Sequence, residues 1–182
     1  ATDTQKLIVD VGLALGARNL LVVSRHEDYN ASIEQFRDVC DRAGNDLRVC
    51  LEFGEFTQIK SLQAANAFID AVDHPSAGIL IDLMHLARSK EALPDLTASR
   101  FPYVQACDFL QSSTDMTGRD YIQAAVDDRY CLGEGEADAT RMSLVRHANI
   151  DVSLEIRSRA LREAFPDPIQ RAQAIFSRCG RE

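Results

Sequence analysis

Four short apolar runs in this sequence each carry one oxygen-donor side chain near their end. Glu52 lies in Val49-Cys50-Leu51-Glu52-Phe53 and Asp82 in Ile79-Leu80-Ile81-Asp82; Gln105 lies in Tyr103-Val104-Gln105-Ala106 and Glu155 in Val152-Ser153-Leu154-Glu155-Ile156. A carboxylate in a low-dielectric strand must be neutralised, paired or coordinated. One divalent cation shared by Glu52, Asp82, Gln105 and Glu155 accounts for all four runs together. Oxygen ligands suit a hard or borderline ion such as Mn²⁺, Mg²⁺ or Co²⁺, with Zn²⁺ also compatible. The competing explanation is buried ion pairing of the carboxylates with Arg48, Arg88 or Arg157, and for Gln105 a satisfied polar core position.

Other residues can serve such a centre. His85 stands three residues after Asp82, where it can face the same site, and its ordinary pKa near neutrality suits acid–base work or polarisation of a substrate oxygen. The alternative is a helix-start histidine bonded to backbone. Arg129 and Arg157 can each pin a carboxylate or phosphate bidentately, and Arg157 is two residues past Glu155, on the same side of its strand. A solvated or ion-paired arginine is the plainer reading of both. His26 is read as a loop residue, and His74 and His147 as surface residues at helix ends. Gly133-Glu134-Gly135-Glu136 is no phosphate cradle, because its carboxylates repel phosphate. It reads as a turn into a helix capped near Asp138.

The elements that must position these residues alternate in period. Helical spacing at Leu7–Leu15 precedes a strand at Asn19–Val23; spacing at Ile33–Ala43 precedes Arg48–Phe53; spacing at Ile59–Val72 precedes Ala77–Asp82. A shorter helix is expected at about Ser89–Thr97, before Pro102–Cys107. A long connection from Asp108 to Asp138 holds a helix near Asp120–Val126. Helices near Ala139–His147 and Asp167–Cys179 flank a strand at Val152–Ile156. Strand–helix alternation with near-continuous apolar strands predicts an α/β fold with a parallel sheet. No glycine-rich phosphate turn follows any strand, as a doubly wound dinucleotide fold would require. Polar residues at the ends of successive strands instead match a (β/α)8 TIM barrel. Only about five βα units are visible, against the eight of a closed barrel. The expectation is therefore a single partial barrel domain over residues 1–182 without its N-terminal units, truncated, processed or completed by another polypeptide.

Composition narrows the function. Hydrophobic residues make up 46% and charged residues 26% of the 182 residues, ordinary for one soluble domain. A net charge of -8 argues against a nucleic-acid surface. No apolar run approaches the roughly 20 residues that cross a bilayer. Five cysteines, odd in number and without CxxC spacing, read as reduced thiols in a cytoplasmic protein.

The ordered set of strand ends resembles the xylose-isomerase-like TIM-barrel superfamily of sugar phosphate isomerases and epimerases. The residues that carry this are Leu51-Glu52-Phe53, Ile81-Asp82-Leu83-Met84-His85, Val104-Gln105-Ala106-Cys107-Asp108, Arg129-Tyr130-Cys131-Leu132-Gly133-Glu134-Gly135 and Ser153-Leu154-Glu155-Ile156-Arg157. The resemblance implies one divalent metal on Glu52, Asp82, Gln105 and Glu155, with Glu52 and Glu155 removing and returning a proton. It also implies a small polyhydroxy substrate: a sugar, a sugar phosphate or a cyclic hydroxy-ketone. The third ligand is often His in the epimerases and Gln in other branches, among them 3-dehydroshikimate dehydratases, so a lyase is the alternative activity. A DNA-repair endonuclease of the same barrel would need more than the four histidines present. An inactive remnant is the non-catalytic reading, and a homo-oligomer is an open partner state.

Overall fold

The computed structural model describes residues 1–111 and 116–179, apart from the side chains of residues 141, 142, 144 and 146. Helix α1 (Asp3–Ala14) opens on a capping box in which Thr2 and Gln5 each accept the other's backbone N–H. It leads to β1 (Asn19–Val23). Asp28 caps α2 (Tyr29–Ala43), which stops at Gly44 with φ 62° and is followed by β2 (Arg48–Glu52). Ser61 caps α3 (Leu62–Val72), and β3 (Ala77–Asp82) passes directly into α4 (Leu83–Arg88). Then come β4 (Tyr103–Ala106), α5 (Gly118–Asp127), α6 (Ala139–His147) and β5 (Asp151–Leu154). Helices α7 (Arg159–Ala164) and α8 (Pro168–Cys179) complete the described chain.

All four strand pairings are parallel, and the sheet runs in sequence order, β1-β2-β3-β4-β5. A doubly wound sheet reverses its order at a switch point; a barrel wall does not. The structure is a half-barrel of five strands with helices over it. The helices cover the sheet through an apolar layer that includes Phe36, Val39, Phe68, Ile69, Ile79 and Ile81. Phe68 receives the Phe36 ring edge-on at 5.5 Å. Within the described residues no helix is long and apolar enough to cross a membrane.

Two expectations are corrected. No helix forms over Ser89–Thr97; the helix is α4, immediately after β3. Asp82 starts it by accepting the N–H groups of Met84 and His85, and Lys90 at φ 60° ends it. The segment beyond serves as a strap, where Glu91 accepts the Leu62 and Gln63 N–H groups and so caps α3 from outside. Helix α7 was not expected; Ser158 caps it through the Leu161 N–H. The apolar strands at the two sheet edges are not fully covered: Leu21 of β1 is 37% exposed, and Val152 and Leu154 of β5 are 43% and 39% exposed.

One close approach tests the sheet packing. A Cβ added at Gly78 on β3 would lie 2.7 Å from the Pro102 ring that leads into β4. We expect Gly78→Ala to lower stability by about 1–3 kcal/mol through overpacking, read as a lower urea midpoint at constant m value. An unshifted midpoint would mean that Pro102 yields freely.

Candidate metal centre

Register alone brings the four predicted ligands to one face. Asp82 pairs with Gln105 across β3 and β4. Glu52 pairs with Leu80, two residues before Asp82, and Gln105 pairs with Ser153, two residues before Glu155. Side chains two apart on a strand share a face, so Glu52, Asp82, Gln105 and Glu155 all project to the concave side at the C-terminal ends of their strands. Glu155 lies just past β5, and its N–H still reaches the Ala106 carbonyl at 3.0 Å.

Asp82 is the centre of the cluster and is fully buried. Its Oδ1 accepts the Met84 N–H at 2.8 Å and the His85 N–H at 3.1 Å, and its Oδ2 accepts Arg129 Nη1 at 2.7 Å. Burial opposes its charge, but neighbouring His85 and Arg129 and the backbone N–H of His85 outweigh it and hold the carboxyl below its usual range. Burial also pushes His85 down, and Arg129, whose guanidinium stays charged, is the lasting counter-charge. Arg129 Nη2 lies 3.5 Å from His85 Nε2. A guanidinium only donates, so this contact is a hydrogen bond only in the tautomer protonated on Nδ1, an atom that is buried without a hydrogen-bond partner. The Phe56 ring meets His85 edge-on at 5.2 Å and restrains it.

Arg129 is brought in by a short segment between two strand extensions. Tyr130 bridges to Asp108 beyond β4, and Asp128 bridges to Ser158 beyond β5. Arg129 N–H donates to the Arg157 carbonyl, its Nε to the Ala125 carbonyl, and its Nη1 also lies 3.3 Å from Cys107 Sγ. The side chain is 2% exposed, and the carboxylates around it raise its pKa against the cost of burial. The ion-pairing explanation of Asp82 thus has a real partner, though not Arg48, Arg88 or Arg157. Arg48 instead bonds the Ala77 and Ser99 carbonyls, and Arg88 bonds the Tyr121 carbonyl.

One guanidinium does not satisfy the cluster. Glu155 Oε2 sits 3.5 Å from Arg129 Nη2, in ion-pair range but without a hydrogen bond. Burial raises Glu155 despite Arg129. Among the described residues Glu52 pairs with no arginine or lysine, and His85 Nε2 lies 4.0 Å from its Oε1. Burial, with Asp82 and Glu155 beside it, pushes the Glu52 carboxyl up to about 8. Gln105 Oε1 is buried with no hydrogen-bond partner. Glu52, Asp82 and His85 each offer a ligand atom within 4.8 Å of the others. Surplus negative charge and close donor atoms fit a divalent cation at Glu52, Asp82 and His85, and the orphaned acceptors of Gln105 and Glu155 lie on the same face.

The cluster floors a cavity of about 660 Å³. Glu52, His85, Arg129, Glu155 and Arg157 all line it, with Phe56, Ile122 and Val126 as apolar wall. Asp108 is a residue that sequence reasoning missed. Its buried carboxylate accepts the N–H groups of Phe109, Gly133 and Ala137 and organises the turn after Arg129. The signal was an aspartate just past a strand, matched to a Gly-rich turn downstream, where a Cβ on Gly135 would collide with Asp108 at 2.5 Å. His26, His74 and His147 do not join the cluster; His74 contacts Asp41 and His147 the Ser143 carbonyl.

The profile of the family described as xylose isomerase-like TIM barrel matches residues 3–178. The chain belongs to this family. No curated protein shows significant sequence similarity to it. Among solved structures, the zinc-bound IolI protein has 15% identity and a TM-score of 0.68, covering 97% of this chain and 69% of its own. The probable 3-DHS dehydratase AsbF from Bacillus anthracis has 16% identity and a TM-score of 0.69, covering 96% and 68%. The D-allulose 3-epimerase from Methylomonas sp., solved with D-allulose, has 17% identity and a TM-score of 0.62, covering 85% and 55%. At these identities the likeness shows the fold, which carries epimerases and a probable dehydratase alike. The chain spans 55–69% of the length of these three structures.

The raised Glu52 carboxyl makes a pH prediction. Its folded pKa lies above its unfolded value of 4.5, so between pH 4.5 and about 8 the folded state holds the proton more tightly than the unfolded chain. Stability of the metal-free chain should therefore fall as pH rises through this window, by at most about 1.4 kcal/mol per pH unit from this group. Glu155, raised in the same direction, adds to the slope. Chemical denaturation at pH 5.5 and 8 in chelator should show the decline in wild type and a shallower one in Glu52→Gln. Equal slopes in the two proteins would refute a burdened Glu52.

Proposed function

We propose that the chain is a divalent-metal-dependent isomerase or epimerase of a sugar or sugar phosphate, using one Mn²⁺, Mg²⁺, Co²⁺ or Zn²⁺ ion. The carrying observation is that four oxygen donors share one face at the strand ends, with Gln105 Oε1 and Glu155 Oε2 lacking hydrogen-bond partners. Glu52, Asp82, Gln105 and Glu155 would hold the ion. When bound, it supplies a Lewis acid that acidifies the C–H beside a chelated carbonyl.

The chain's own residues then divide the proton work. Glu52 and Glu155 come from β2 and β5, flanking the β3 and β4 ligands, so one takes the proton and the other returns it. Two exchanging carboxyls on different sides of the same carbon make epimerisation possible; return to the neighbouring carbon gives isomerisation. His85, which lines the cavity on the Glu52 side, binds a substrate hydroxyl. Arg129 and Arg157 line the cavity and hold substrate oxygens, Arg129 with whatever donor capacity Asp82 leaves free. The apolar wall at Phe56, Ile122 and Val126 limits water near the reacting carbon.

Gln105 supports a second reading, a dehydratase of the 3-dehydroshikimate type. The same proton abstraction would be followed by loss of a β-hydroxyl, giving a conjugated and finally aromatic product.

Metal content decides whether the centre exists. We expect about one divalent ion per chain by elemental analysis of the purified protein, and its loss in Glu155→Gln. Incubation of the loaded protein with ketoses and ketose phosphates should give epimer or isomer by chromatography. An ultraviolet-absorbing product from dehydroshikimate would select the lyase. A protein without stoichiometric metal, or whose metal content ignores the substitution, would overturn the four-ligand centre; bound metal without turnover of either class would leave a binding remnant.

A further inference from the structure

The cavity wall carries more positive charge than the acidic chain as a whole suggests. The formal net charge is -8, yet the exposed Arg25, Lys60 and Arg157 all line the cavity. Several arginines elsewhere on the surface are paired: Arg18 with Asp151, Arg42 with Asp10, Arg100 with Asp70, Arg159 and Arg162 with Asp127, and Arg178 with Glu134. Among the described residues, the side chains of Arg25, Lys60 and Arg157 make no ion pair or hydrogen bond. Glu55, on the same loop as Lys60, also lines the cavity but pairs with none of them.

The two loops that bear Arg25 and Lys60 are fixed to each other. Gln58 N–H donates to the Ser24 carbonyl at 3.0 Å, and Gln58 Nε2 to the Glu27 carbonyl at 3.5 Å. Buried Thr57 bonds the Gly54 and Ile59 carbonyls through its hydroxyl and holds the loop's shape. Arg25 follows β1 two residues beyond Val23, which pairs with Glu52, so it continues the face that carries the metal-site carboxylates. Arg157 comes from the other edge of the half-barrel, two residues beyond Glu155. Two cations on a braced backbone, with a third lining the same cavity, offer charge-assisted donors to one anionic group. The carboxylate floor below would repel an anion placed at the metal end, so an anionic group is directed outward to these cations. A cavity of about 660 Å³ accommodates a small molecule of this kind.

We propose that the substrate is anionic: a polyhydroxy carbonyl compound whose carboxylate or phosphate sits on Arg25 and Lys60, with Arg157 contributing from the β5 side. The reacting carbonyl then lies toward Glu52 and Glu155, and the carbon skeleton lies along Phe56 and Ile122. This rests on the metal-centred reading above.

The test is calorimetric binding to the full chain with saturating Mn²⁺, at physiological salt. Two matched pairs serve as probes: D-fructose 6-phosphate against D-fructose, and quinate against its methyl ester. We expect at least one anion to bind about tenfold more tightly than its neutral partner, as charge-assisted hydrogen bonds predict. The Arg25→Ala/Lys60→Ala double variant should lose this preference while its Mn²⁺ affinity stays within about twofold of wild type. The preferred anion identifies the source, phosphate or carboxylate. No preference in either pair, or a preference that survives in the double variant, overturns the proposal. If wild type binds no Mn²⁺ but shows a preference that the variant lacks, the anion site stands and the metal reading fails. Mn²⁺ binding without anion preference fails this proposal alone.

Discussion

The buried carboxylate of Asp82 is the constraint on which the rest of the site depends. It ends β3, starts α4 and anchors Arg129, all through three hydrogen bonds. An unpaired charge at full burial would cost several kcal/mol, so strand, helix and guanidinium must be assembled together. The α4 start then sets His85 on the same side as Glu52, and Phe56 closes over its ring. The geometry of the concave face therefore follows from satisfying one ion.

Charge balance explains why the same cluster is suited to hold a cation. Three carboxylates converge, and Arg129 directly offsets Asp82 and, at longer range, Glu155. Glu52 is left with burial and two like charges, and its carboxyl resists ionisation. A divalent ion would reverse that preference, because it replaces repulsion among the carboxylates with coordination. The neutral amide of Gln105 matters here. A fourth carboxylate at its position would add repulsion to a pocket already short of positive charge, whereas Gln105 Oε1 offers an acceptor with no charge of its own.

The shared face of the four oxygen donors was legible in the sequence because strand periodicity is strict: a donor two residues from its lateral neighbour's partner lands on the same face whatever the loops do. Glu52, Asp82, Gln105 and Glu155 could be placed that way. What was not legible depends on contacts between segments remote in sequence. Arg129 could be named as a functional arginine, but its partner Asp82 lies 47 positions away and is reached only through the bridges at Asp108 and Ser158. Helix α4 was misplaced because Asp82 acts as cap and core ion at once, so the helix begins with no intervening loop. Glu91 reads locally as a helix residue, yet its carboxylate caps α3 instead. The exposure of β5 is likewise a property of its place at the sheet edge and not of its composition.

The division of labour between strands and loops follows from these contacts. Strand ends supply the donors, and their positions are locked by the ladder and by buried neighbours such as Leu51, Ile81 and Val104. The 128–130 segment, the turn organised by Asp108 and the loop braced by Thr57 supply the guanidinium and the cavity wall. Substitutions in these loops can alter what the cavity accepts without touching the donors, because each loop is tied down by its own backbone hydrogen bonds. The reverse does not hold. A change at Asp82 removes the α4 cap and the Arg129 anchor in one step, so the centre tolerates variation around its rim far better than at its core.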